Sequence, residues 1–163
     1  MEPYLQYQQR AVQNIKVADH MLTMTYPLIK DPKLLLSVLQ NLFMAASNAM
    51  ACILYYERHF NRIPAFQDTF ESKYSMFQQK IVQEYQIDLK WVKFIAELKE
   101  LVQSHKESTT EFPRSGKFVM ADHDYRIKTL GEEDLKYFLK LTKDFVDYTL
   151  QLVNTHDAMP RRR

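Results

Sequence analysis

The chain reads as an all-α domain: an up-and-down bundle of about five helices, with an irregular, hairpin-like insertion between the last two. Three observations carry this reading. Only 2 Gly and 6 Pro occur in 163 residues, too few for the many tight turns of a sandwich or barrel. Leu, Lys, Gln, Glu, Ala and Met are plentiful, and these residues lose little rotamer freedom in a helix. Apolar residues also recur three and four positions apart over long stretches, the spacing of a helix with one buried face.

In residues 4–29 the stripe is Ala11, Ile15, Ala18, Leu22, Thr25 and Ile29, widened by Val12 and Met21. Asp31-Pro32 then reads as a helix cap followed by a first-turn proline. The second helix has the seam Leu35, Leu39, Leu42, Ala46, Ala49, Ile53 and Tyr56, with other faces apolar too, so it should be the most buried. Its small residues Ala45, Ala46, Ser47, Ala49 and Ala51 let a neighbouring backbone approach closely. The first two helices are therefore read as an antiparallel pair.

Pro64 stops the second helix. Asp68 to Glu71 resembles a capping box, opening a third helix with Phe70, Tyr74, Phe77 and Ile81 inward. Asp88 caps a fourth, whose inner face is Trp91 or Val92, Ile95, Leu98, Val102 and His105. Thr129-Leu130-Gly131-Glu132 is a second capping-box pattern. It opens a last helix with Leu135, Phe138, Leu139, Phe145, Val146, Leu152 and Val153 inward. The helical domain thus covers residues 1–157. The basic stretch 158–163, ending in Arg161–Arg163, is read as a disordered tail.

Between the last two helices, the insertion at residues 106–129 is longer than most helix–helix connections, and such segments are often functional. Phe118 and Met120 alternate with polar or smaller residues, Asp122-His123-Asp124 offers turn chemistry, and Tyr125 and Ile127 alternate again. A small β-hairpin is expected there.

The totals exclude several classes. A net charge of +2 lacks the excess of a general nucleic-acid binder. The single Cys52 rules out an internal disulfide and a cysteine zinc site. The apolar stretch 34–56 is broken by Gln40, Asn41, Ser47 and Asn48, which reads as a core helix rather than a membrane span. No signal peptide is visible, and the expected location is cytoplasmic. No Glu has a His three residues later, as a bundle di-metal site requires. His-x-x-x-His, a glycine phosphate loop and a Gly-x-Ser-x-Gly elbow are all absent. No cofactor and no metal site are therefore expected.

Three polar clusters remain. Glu57, Arg58 and His59 close the second helix. They read either as an acid, a cation and an imidazole at a helix mouth, or as cations complementing the helix dipole. Asp19 and His20 sit in the middle of the first helix. There Asp19 reads as a site or as a register-setting partner of Asn48 or another polar group of the second helix. In and beside the insertion, His105, Glu107, Glu111, Arg114, Asp122, His123 and Asp124 offer groups for a phosphate, a metal or a charged partner. The alternative there is a solvated loop held down by Phe112 and Phe118. Arg114, Lys117, Arg126 and Lys128, interleaved with Phe118 and Tyr125, suit phosphate contact beside base stacking.

The patterns VADHM…TYPLIKD…LLL at residues 17–36 and EFPRSGKFVM at 111–120 resemble a group of small, uncharacterised archaeal helical proteins. That resemblance covers most of the chain and brings no activity with it. Two long antiparallel helices followed by shorter ones also resemble the HEPN superfamily, many of whose members are RNases or partners of minimal nucleotidyltransferases and commonly dimerise. HEPN nucleases carry Arg followed four to six residues later by His; no arginine here has that spacing. The resemblance therefore implies a non-catalytic member.

The leading expectation is a non-enzymatic helical-bundle module that binds a macromolecular partner, protein or RNA, through residues 106–128. Its binding candidates are His105, Glu111, Arg114, Lys117, His123 and Arg126, with Asp19, His20, Glu57, Arg58 and His59 as secondary candidates. The alternatives are a diverged HEPN-type RNase using Arg58, His59 or His105, and a structural homodimer packed through faces such as Phe66, Phe70 and Phe77.

Overall fold

A computed structural model describes residues 1–158; residues 159–163, most of the expected basic tail, lie outside the described residues. Five helices form the bundle, and a three-stranded antiparallel sheet stands between the fourth and fifth.

Helix α1 is α-helical over Pro3–His20, passes through a π-helical turn at Met21–Thr25, and finishes as α-helix over Tyr26–Ile29. Its buried residues are Tyr4, Ala11, Ala18, Leu22 and Tyr26. The expected stripe ending in Thr25 and Ile29 is therefore wrong after Leu22. The π turn adds one residue to the repeat, the inward position passes from Thr25 to Tyr26, and Ile29 is 62% exposed. Pro27, which has no N–H to continue the ladder, follows directly.

Helix α2, Lys33–His59, buries its whole expected seam, from Leu35 to Tyr56. The Asp31 carboxylate accepts the Lys33 amide at 3.0 Å, the capping contact expected of it. By length and composition α2 could cross a membrane, with a mean hydropathy of 1.4 over its most apolar window; half of that window is buried inside the bundle.

Helix α3 is α-helical over Phe70–Met76, π-helical over Phe77–Ile81 and α-helical over Val82–Glu84. Its cap is Thr69, whose hydroxyl accepts the Ser72 amide at 3.2 Å, and not the expected Asp68. Asp68 instead pairs with Lys73, which together with that residue's charge holds the carboxyl below its ordinary range. Phe77 is fully buried, and Phe66 and Phe70 pack on the core. Phe66 and Phe70 are only half-buried there.

Helix α4, Leu89–Glu107, is capped by Asp88 as expected, its carboxylate accepting the Lys90 amide at 3.0 Å. Strands β1 (Thr110–Arg114), β2 (Lys117–Ala121) and β3 (Ile127–Leu130) follow. β2 and β3 are the expected hairpin; β1 is an additional strand on its other side. Helix α5, Glu132–Ala158, buries every inward residue named for it. Thr129 lies within β3 and does not cap α5; the Asp134 carboxylate accepts the Gly131 amide at 2.9 Å instead.

These contacts define two poles. Tyr4 of α1, Cys52 and Tyr56 of α2, and Leu152 and Val153 of α5 form one cluster. Tyr85, just before α4, donates to Glu57 of α2. The end of α2, the start of α4 and the end of α5 therefore share a closed pole. The α1–α2 turn, the end of α4, the sheet and the start of α5 share the opposite one, and the Asp19–Lys143 ion pair of 3.0 Å ties α1 to α5 on the way there.

Candidate functional site

The sheet lies over the end of the bundle with one face inward. Two-residue turn geometry sets it: Ser115 and Gly116 both have positive φ, +52° and +75°, as a tight hairpin between Arg114 and Lys117 requires. The register pairs Pro113 with Phe118 and Phe118 with Leu130, and Glu111 with Met120 and Met120 with Lys128. Phe118, Met120 and Leu130 are buried in the main core, so this face is the inner one.

Period-two alternation then fixes the outer face. It holds Thr110, Phe112 and Arg114 of β1; Lys117, Val119 and Ala121 of β2; and Ile127 and Thr129 of β3. Phe112 is 41% exposed and Ile127 65%, while Val119, flanked by Phe112 and Thr129, is buried. Arg114 and Lys117 are cross-strand partners at the hairpin end. No carboxylate lies on this face. From the Arg114–Lys117 row to the Ile127 row the face runs four residues, about 13 Å.

Between β2 and β3, the Asp122 carboxylate accepts the amides of Asp124 and Arg126, each at 2.9 Å. Asp122 thus shapes the loop. The loop presents Tyr125, 89% exposed and with φ +57°, and leaves His123 exposed.

Two of the sequence candidates meet at the other side of the sheet. His105 Nδ1 donates to the Glu111 carboxylate at 3.0 Å, and the Ser108 hydroxyl makes a short hydrogen bond to the same carboxylate. A carboxylate only accepts, so in this contact the proton sits on Nδ1. Ser108 bonds Glu111 and the His105 carbonyl, and not the imidazole. The ring is therefore not placed to activate that hydroxyl as a nucleophile. Mechanically, the trio fastens β1 to the end of α4. Ser108 carried no motif by which the sequence reading could have found it.

Behind the sheet, a cleft of about 530 Å³ runs between α4 and β2–β3, with Ala96 and Met120 among its lining residues. Its charges are mixed: Glu71, Glu100, Glu107 and Asp122 against Lys99, Arg126 and Lys128. Lys128 pairs with Glu100 at 2.8 Å, so this lysine and Arg126 belong to the cleft and not to the outer face.

The secondary candidates separate. Asp19 pairs with Lys143 of α5 and not, as expected, with Asn48. The polar register contact between α1 and α2 is instead Asn48 to Asn14, whose carbonyl oxygen accepts at 2.9 Å. His20 lines an open groove of about 360 Å³ beside the π turn, with Lys16, Val17, Met21 and Leu34. Arg58 lies over the Phe66 ring, and His59 pairs with Glu2 at 3.3 Å. Glu57 is only 2% exposed. It accepts from Arg62 at 3.1 Å and from the Tyr85 hydroxyl in a short contact. Burial and the adjacent carboxylate push the Tyr85 phenol far above its ordinary range. This is a structural knot rather than a helix mouth open to a ligand.

His59 and His105 cannot share one site. Tyr85 fixes the start of α4 beside Glu57, and His105 lies near the other end of that 19-residue helix, about 28 Å long. Among the described residues, no group of three or more His, Cys, Asp or Glu is placed to hold a metal ion.

Exposed apolar groups gather at the sheet pole. Seven of the ten large hydrophobic side chains exposed among the described residues lie there: Met24, Leu28, Ile29, Phe112, Tyr125, Ile127 and Tyr137. No family model, curated protein or solved structure matches the chain. The resemblances noted in the sequence rest on the residues quoted for them.

Proposed function

We propose that the chain is a non-enzymatic module that binds single-stranded RNA across the outer face of its sheet. One observation carries the reading: that face combines the exposed Phe112 and Ile127 with the adjacent cations Arg114 and Lys117, and holds no carboxylate. Aromatic faces stack unpaired bases and cations neutralise phosphates, whereas a duplex hides its bases. Tyr125 in the neighbouring loop offers a second ring. The chain's near-neutral total charge fits a small, localised footprint rather than a wrapped polymer.

Fluorescence anisotropy with a labelled single-stranded RNA tests this. Binding should weaken in Arg114→Ala with the helical circular dichroism intact. Two phosphate contacts predict a slope of about −1.4 for log affinity against log salt. Failure of the wild type to bind at low salt, or equal preference for duplex RNA, would sink the reading. Retention of a protein from native lysate after RNase treatment would redirect the same face to a protein partner.

A further inference from the structure

We propose that the free edge of β3 docks an extended segment of a partner protein as a fourth strand, apolar on one side and acidic on the other. The RNA reading concerns the outer face of the sheet; this one concerns its edge, and it stands independently. The order β1-β2-β3 leaves two edges. The Asp122 amide donates to the Arg126 carbonyl at 3.1 Å, continuing the register that pairs Met120 with Lys128 and Phe118 with Leu130. Hydrogen-bonded pairs alternate along an antiparallel ladder. Lys128 and Leu130 therefore bond β2, and the backbone groups of Ile127 and Thr129 point away from it. Both residues are exposed, and their amides and carbonyls meet no partner among the described residues.

The other edge is guarded. The same alternation turns Val119 and Ala121 of β2 toward Phe112 and Thr110, so Glu111 and Pro113 face outward from β1. Pro113 has no N–H to offer, which blunts that edge against a further strand. On β3 the one residue that could guard by charge, Lys128, is tied to Glu100 at 2.8 Å on the inner side. Two donors and two acceptors are left open.

An edge of this kind selects an extended backbone, and cross-strand neighbours select its side chains. Beside Ile127, 65% exposed, and near the Tyr125 loop, apolar side chains fit the outer positions. The inner positions meet Lys128 and Arg126, and Arg126 forms no ion pair among the described residues. Carboxylates fit there. A second copy fits poorly: antiparallel pairing of Ile127 with Thr129 of the second copy sets the two Lys128 side chains directly opposite each other.

An end-capped peptide alternating valine with glutamate is the probe, titrated into the full chain and followed by amide hydrogen exchange. Binding should slow exchange at Ile127 and Thr129 by about tenfold or more. N-methylating the valine amides, which would face the edge, should weaken binding about tenfold or more, while N-methylating the glutamate amides should not. Lysine in place of glutamate should also cost about tenfold. Thr129→Pro, which gives this edge the guard that Pro113 gives the other, should abolish capture, with circular dichroism checking the fold. Arg114→Ala should retain the peptide, so this proposal and the RNA reading fail separately. No protection at Ile127 and Thr129, indifference to valine N-methylation, or equal binding of the lysine peptide overturns the proposal. So does protection of the two amides that grows with protein concentration alone, because the occupant would then be a second copy.

Discussion

The two poles of the bundle treat their polar and aromatic groups in opposite ways. At the closed pole, Glu57, Arg62 and Tyr85 satisfy one another, and Tyr4 packs edge-on against Tyr56 with ring centroids 5.2 Å apart. At the sheet pole, Phe112, Tyr125, Ile127, Leu28 and Ile29 face water, and Arg114 and Lys117 stand side by side. Like charges opposite each other on a sheet destabilise it slightly. Stability is thus concentrated where surfaces are already matched, and recognition is expected where they are not.

The largest effect that should separate the poles is on stability. Glu57→Ala leaves Arg62 and the Tyr85 hydroxyl without their buried acceptor and is expected to cost about 3 kcal/mol. That corresponds to a fall in Tm of about 9 °C; a change within about 1 °C would remove the distinction. Phe112→Ala should do the reverse, costing about 1–3 kcal/mol of RNA binding by loss of one stacked base. Its effect on chemical denaturation should stay within about 0.5 kcal/mol, because the ring is half outside the protein.

A subtler contrast lies in alkaline titration. Burial, helped by Tyr7, pushes the Tyr55 phenol up to about 12, and Tyr85 is raised further by burial and Glu57. A group raised in the folded state contributes stability that is complete below its unfolded value, about 10, and lost as pH climbs through its folded value. Tm should therefore hold to about pH 10 and fall beyond it, with phenolate absorbance lagging behind that of the denatured chain. Ten tyrosines titrating together near pH 10 would refute this. The smallest signal is at Cys52, whose thiol burial raises to about 12. A thiol reagent at neutral pH should label it only after unfolding; prompt labelling of the native protein would show that the closed pole opens.

What was legible in the sequence follows the range of the interactions. The seam of α2 could be read residue by residue because burial there follows local periodicity. The same rule failed at Ile29, since nothing in a regular repeat announces the π turn; Pro27 was the available signal. Strand β1 escaped notice because Pro113 argues against a strand, although an edge strand tolerates it. His105 and Glu111, close in sequence, were both named, and the structure joins them. Arg114 and Lys117 became partners through a turn whose Gly116 was visible but whose register was not. The burial of Glu57 depends on Tyr85, 28 residues away, a pairing no local pattern encodes.

The π turn of α1 is, in effect, a single surplus residue held in an otherwise continuous helix. Its removal is a one-codon event with a defined geometric outcome. Deleting Thr23 should restore a regular repeat with Tyr26 three residues after Leu22, so that Tyr26 stays inward and Leu28 and Ile29 keep their outward facing. A shortened variant that keeps its Tm would show that the π turn absorbs the surplus residue locally, without disturbing the packing on either side. A variant that fails to fold would show that the core depends on the wider turn between the buried Leu22 and Tyr26.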